Sequence, residues 1–226
     1  MQVRDVLDWL ERRGTRANRD GMARYAIGAD KAVGVSVGDL RELGKKIGRN
    51  HELALKLWPT DVYEARMLVP FIADPARVTP ALMDRWARDF DSWAITDALC
   101  FHLFDKTPHA WTKIRQWSRR KPEFEKRAAF ALLASVALHD KKAPDAPFLA
   151  ALTLIEREAS DERNFVKKGV NWALRGIGKR NEKLRIAAMK VARRLAASEN
   201  SAARWCGKDA LRELTSPAQV KRLRKK

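Results

Sequence analysis

Apolar positions recur along this chain at the three- and four-residue spacing of helices that bury one side, and nowhere with a sustained strand-like alternation. Val37–Ile47 sets Leu40, Leu43 and Ile47 on one face. The same pattern predicts helices over residues 1–12, 50–57, 62–72 and 92–104, with a short helical start over 22–27. Thr79 before Pro80 is an N-cap and first-turn pair opening a helix through Phe90. Pro108 opens a helix through Trp117, and Pro122 one through Leu138. Helices over 147–158, 162–177, 182–195 and 202–214 follow, and Pro217 starts a last short turn before a basic tail around residues 216–226. Residues 33–37 are the one short strand candidate and read as a loop. Residues 140–147, polar with two prolines, read as an inter-helix connection, so one domain over 1–226 is expected.

An all-α chain can bury its faces as an antiparallel bundle or as a solenoid of helix pairs. A basic residue heads an alanine-rich helix at Arg66, Arg127, Lys168 and Arg204. With one extra unit over residues 93–104, the common period falls at roughly 30–40 residues, the range of two-helix repeats, and favours the solenoid.

Charge narrows the function. The chain of 226 residues carries 46 Lys and Arg against 28 Asp and Glu, a net charge of +18. Residues 1–162 hold 27 basic and 24 acidic side chains, whereas residues 163–226 hold 19 and 4. A field this lopsided attracts a polyanion, with nucleic acid ahead of an anionic membrane surface; the plain alternative is a basic, solvated surface. No apolar run is long enough to cross a membrane. Two cysteines, Cys100 and Cys206, make neither a disulfide framework nor a four-cysteine zinc site, and point to a reducing compartment, the cytoplasm. His51, His102, His109 and His139 are scattered, so no metal is expected, and no phosphate-cradling glycine loop is present.

The aromatic residues carry the chemistry. Eight tryptophans stand against two tyrosines. Asp97 follows Trp93 by four residues, which puts an indole and a carboxylate on one helical face, a setting for a cationic group. Trp172 lies among Lys167, Lys168, Arg175, Lys179 and Arg180, and Arg127 heads an alanine-rich helix. Each has a bland alternative: a core ring for the tryptophans, a solvated or capping group for Asp97, a surface charge for Arg127.

Met22-Ala23-Arg24-Tyr25, Ser92-Trp93-Ala94-Ile95-Thr96-Asp97, Lys126-Arg127-Ala128-Ala129 and the run from Phe165 to Arg175, in that order and spacing, resemble the AlkD family of HEAT-like-repeat alkylpurine DNA glycosylases. The resemblance covers roughly residues 20–215. It implies a right-handed α-solenoid of HEAT-like helix pairs, acting without cofactor or metal, as a monomer, on duplex DNA containing alkylated purines. It also implies that Asp97 is the catalytic aspartate, that Trp93 and Trp172 contact the sugar, and that Arg127 serves the aspartate and the DNA backbone. Lys167, Lys168, Arg175, Lys179, Arg180, Arg204 and Lys208 are the expected DNA-binding cations. The chain departs from the family's paired tryptophans where it reads Ser92-Trp93-Ala94. A silent DNA-structure-binding relative and a helical interaction scaffold are the rival readings.

Overall fold

The computed structural model describes residues 1–224, and these form fourteen α-helices and no strand. Two compact units divide the chain, Met1–His109 and Ala110–Lys226. The first holds α1 (Val3–Arg13), α2 (Arg16–Gly21), α3 (Val37–Ile47), α4 (His51–Leu57), α5 (Tyr63–Ile72), α6 (Pro80–Arg88) and α7 (Trp93–His102). The second holds α8 (Ala110–Trp117), α9 (Glu123–His139), α10 (Asp145–Glu158), α11 (Asn164–Gly178), α12 (Glu182–Ala196), α13 (Ser201–Leu214) and α14 (Pro217–Arg224). In the first unit α5 packs against α3 and α7, with α4 on its outer side. In the second, α11 packs against α9 and α13, while α8 covers α9 and α12 covers α11 and α13. This is the stacking of helix pairs found in HEAT-like solenoids.

The helix starts follow from short polar side chains. Ser36, Asn50, Thr79, Ser92, Asn181 and Asn200 each accept a hydrogen bond from the backbone N–H three residues on. Each satisfies a donor that the first turn leaves open, a contribution of about 1 kcal/mol. Arg66 and Arg204 are the fourth residues of α5 and α13, and Arg127 and Lys168 the fifth of α9 and α11, so a basic residue does stand near the head of each.

Several expectations shift in detail. Residues 22–25 form a 3-10 turn that ends at Ala26 in the left-handed region, φ 54°. The helix expected from Pro108 begins at Ala110, and Pro147 sits inside the first turn of α10, which begins at Asp145. The segment from Pro217 is helix through Arg224; residues 225–226 of the basic tail lie outside the described residues. Helix α2 was not foreseen, because its six residues carry no apolar period and none is buried.

A helix apolar all round is one that neighbours enclose, and each unit has one. Every residue of α5 from Glu64 to Pro70 is buried, as is every residue of α9 from Arg127 to Ala137. Close approach needs small residues at the contacts. A Cβ on Gly169 or Gly176 of α11 would already touch Arg127, Phe130, Ala134 and Ala137 of α9. On Gly207 of α13 it would overlap the α12 backbone at 2.2 Å from Ala196 N.

Glu64 is fully buried. Its carboxylate accepts from the backbone N–H of Gly34 (2.7 Å), Val33 (3.0 Å) and Val35 (3.2 Å). The 33–37 segment is therefore a loop whose donors converge on one anion, in place of a strand ladder. Gly34 has φ +89° and packs so tightly that a Cβ would meet Thr15 O at 2.1 Å. Glu64→Gln replaces one acceptor oxygen with an NH2 facing N–H donors. Hydrogen bonds to a charged group contribute about 1.5–3 kcal/mol, so the variant should lose about 3 kcal/mol. The measurement is the urea midpoint at neutral pH; an unchanged midpoint would show that the carboxylate does not hold the loop.

Candidate functional site

Helix α7 of the first unit carries Trp93 and Asp97. Ser92 caps it, accepting from Ile95 N at 3.4 Å, and Thr96 Oγ1 donates to Ser92 O at 2.8 Å. From Ser92 to Cys100 the only side chains that are not buried are Trp93 and Asp97. One turn apart, they share one side of the first two turns of the helix. Trp93 Nε1 donates to Tyr25 O at 2.7 Å, which fixes the plane of the indole. Tyr25 itself is 67% exposed. Its part was not legible in the sequence, because the bond spans 68 residues and runs through a backbone carbonyl. A fixed electron-rich ring and a carboxylate on one stripe favour a positively charged group.

In the second unit Arg127 is buried on α9, and its Nη1 donates to Phe165 O of α11 at 2.7 Å. Trp172 is half-buried on α11, four residues after the exposed Lys168. Trp93 and Trp172 are each partly buried, neither fully enclosed nor fully exposed.

The expected basic residues separate into groups with different duties. Partial burial lowers the pKa of Arg180, which lies over the Phe148 ring at 4.0 Å. It donates to Ala137 O, Asp140 O and Ala143 O, closing the loop between α9 and α10. Arg204 donates to Ser198 O and Glu199 O after α12. Arg175 and Lys179 both pair with Glu213. Burial pulls the Glu213 carboxyl up, but Lys179 and Arg175 outweigh it and hold it below the usual carboxylate range. Lys167 lies over the Trp205 ring, 5.2 Å from its centre. Lys168 and Lys208 are exposed and have no ion pair among the described residues. The sequence count of +15 in this region thus contains cations already committed to the fold.

Both cysteines are fully buried and unbridged. Burial pushes the Cys206 thiol up to about 12, against the opposing pull of Lys167. A thiol with so high a pKa is protonated at pH 8 and a poor nucleophile. Native protein should therefore leave both thiols unreacted with a thiol-disulfide colour reagent at pH 8, and release two equivalents on denaturation. Rapid reaction of one native thiol would contradict this. Among the described residues no group of three His, Cys, Asp or Glu is placed to hold a metal, and no helix is long and apolar enough to cross a membrane.

A family model described as DNA alkylation repair enzyme matches residues 6–214. A solved structure described as belonging to "a new family of proteins related to the HEAT-like repeat DNA glycosylases with affinity for branched DNA structures" matches with a TM-score of 0.78. It covers 94% of this chain and 95% of that one at 19% identity, a likeness of fold. No curated protein matches the chain.

Proposed function

The chain belongs to the DNA alkylation repair enzyme family, and from that membership we propose that it is a monofunctional DNA glycosylase. Its substrate is duplex DNA bearing purines alkylated at N3 or N7, such as 3-methyladenine and 7-methylguanine. The observation that carries the reading is the α7 stripe, where Trp93, held by the Tyr25 carbonyl, and Asp97 are the only open side chains between Ser92 and Cys100.

The chemistry asks little of an acid catalyst. An N3- or N7-alkylated purine is cationic and leaves readily. As the glycosidic bond lengthens, positive charge develops on the deoxyribose. Ionised Asp97 stabilises that charge and orients the attacking water. The resemblance to the glycosylase family assigns Trp93 and Trp172 to the sugar, whose growing cationic character an indole favours. Arg127, already fixed by Phe165 O, serves the DNA backbone or the aspartate. The bond is broken by hydrolysis, and no lysine nucleophile is invoked.

A second reading has its own support. The structurally similar protein is described by its affinity for branched DNA, and a catalytically silent member of the same fold would bind DNA structure without excising a base. Single-turnover release of 7-methylguanine, corrected for spontaneous depurination, separates the two. Asp97→Asn should fold, bind duplex at least as well, and excise about 100- to 1,000-fold more slowly, the usual loss for a preorganised stabilising group. An unchanged excision rate in the folded variant would defeat the mechanism. No excision by the unaltered protein, despite tight DNA binding, would establish the silent reading.

The same proposal predicts a strong salt dependence of duplex binding, with each neutralised phosphate contributing about 0.9 to the log–log slope. Glu213 currently occupies Arg175 and Lys179. Glu213→Gln should release them, tighten duplex binding and steepen the slope by about 0.9–1.8. A slope identical to that of the unaltered protein would place both cations away from the DNA.

A further inference from the structure

Of the eight tryptophans, only Trp205 is exposed, at 39% of its surface. It is the fifth residue of α13, which packs beside α11. Along these two helices the side chains meet in a ladder with a constant offset. Asn171 Nδ2 donates to Asp209 Oδ2 at 2.7 Å, and Arg175 Nη1 donates to Glu213 Oε2 at 2.7 Å. One turn nearer the head, Lys167 meets Trp205 at 5.2 Å. The lower rungs put a carboxylate on α13. The top rung puts an indole there instead.

That exchange changes what Lys167 can do. A lysine facing a carboxylate is neutralised, as Lys179 is by Glu213. A lysine over a ring is held in place by about 0.5–1 kcal/mol and keeps its whole charge. Cys206 Sγ donates to Lys167 O at 3.5 Å, which ties the lysine's backbone to α13 as well. Lys167 lies over the indole, and Trp205 keeps 39% of its surface exposed beside it. The Trp205 Nε1 has no hydrogen-bond partner among the described residues. Lys168 follows Lys167 on α11 and Lys208 follows Trp205 by three residues on α13, and both are exposed. Arg163 and Arg204 add cations, and Glu123, Asp161, Glu162, Glu199 and Asp209 are acids near these helix heads; Asp161 already pairs with Lys126 and Arg163, whereas Lys168 and Lys208 have no ion pair among the described residues.

We propose that Trp205 and Lys167, with Lys168 and Lys208, form a site for an unpaired nucleotide of DNA. The base stacks on the open indole face and the lysines take the flanking phosphates. A paired duplex shows sugars, phosphates and base edges to a protein, and its base faces become available only where pairing ends. A flat, exposed, desolvatable ring among uncompensated cations matches a splayed base, as on single-strand platforms. The inference rests on the proposed DNA binding and assigns it a second element, the single-stranded arm of a fork.

The test compares affinities at one salt concentration for a fully paired duplex and for the same duplex carrying an oligothymidine arm. Trp205→Ala should bind the forked DNA about 5- to 100-fold more weakly than the unaltered protein. Its affinity for the paired duplex should stay within about twofold by the same stacking argument. Trp205→Phe should restore most of the forked-DNA affinity, and the thermal melt of both variants should stay near that of the unaltered protein. Unchanged binding of forked DNA by Trp205→Ala, or an equal loss on both DNAs, would overturn the site while leaving duplex binding intact. Failure of the unaltered protein to bind either DNA would overturn the site and the DNA-binding reading together.

Discussion

A helix with no face toward water cannot carry a charge unless the surrounding structure supplies its partner. Both central helices carry charges at their heads, in the same Glu-x-Arg order. On α5 the buried Glu64 takes three backbone N–H groups, and Arg66 pairs with Asp61 at 2.7 Å and lies over Trp58. On α9 Glu125 pairs with Arg120, and Arg127 donates to Phe165 O. In the first unit this requirement extends as far as the candidate site. Glu64 fixes Val33 to Val35; Gly34 O then accepts from Thr15 N and Asn18 Nδ2, which holds α2; α2 runs into the turn that ends at Tyr25; and Tyr25 O holds the indole of Trp93. The orientation of a ring on the open stripe thus descends from a carboxylate with no solvent exposure.

Magnitudes decide which of the many cations matter to function. An exposed ion pair contributes about 0–1 kcal/mol, whereas charge-assisted bonds to enclosed carbonyls contribute more and are costly to break. Arg180, spread over three carbonyls, of which Ala137 O belongs to a buried residue, and an aromatic ring, is committed to the loop between α9 and α10 by the number of its partners. Lys168 and Lys208 have no such competing duty. A polyanion arriving at the second unit would meet these lysines first, and would have to compete with Glu213 for Arg175 and Lys179.

Most helices were legible because their starts are written locally. Thr79 before Pro80 and Ser92 before Trp93 need only their own neighbours to act. The stripe of Trp93 and Asp97 was legible for the same reason, since a four-residue spacing is local geometry. What escaped depends on partners far along the chain. Glu64 looks like one polar residue in an apolar helix until the loop 31 residues earlier closes on it. The carbonyl of Tyr25 carries no side-chain signal at all. The balance between free and committed cations was equally hidden, because Arg175 and Glu213 meet across 38 residues. The resemblance to a family named residue types and left these couplings unstated.

The division of charge between the units bears directly on how one chain could hold DNA and still favour a cation at the reacting sugar. Residues 1–109 carry 17 basic and 16 acidic side chains, so the unit with Asp97 is close to neutral; residues 110–226 carry 29 and 12. Attraction for phosphate is therefore concentrated on one unit. The carboxylate sits on the other, where no comparable excess of positive charge opposes a cationic group. Enclosed, pre-paired helix heads in each unit keep both sets of groups in fixed positions while they act.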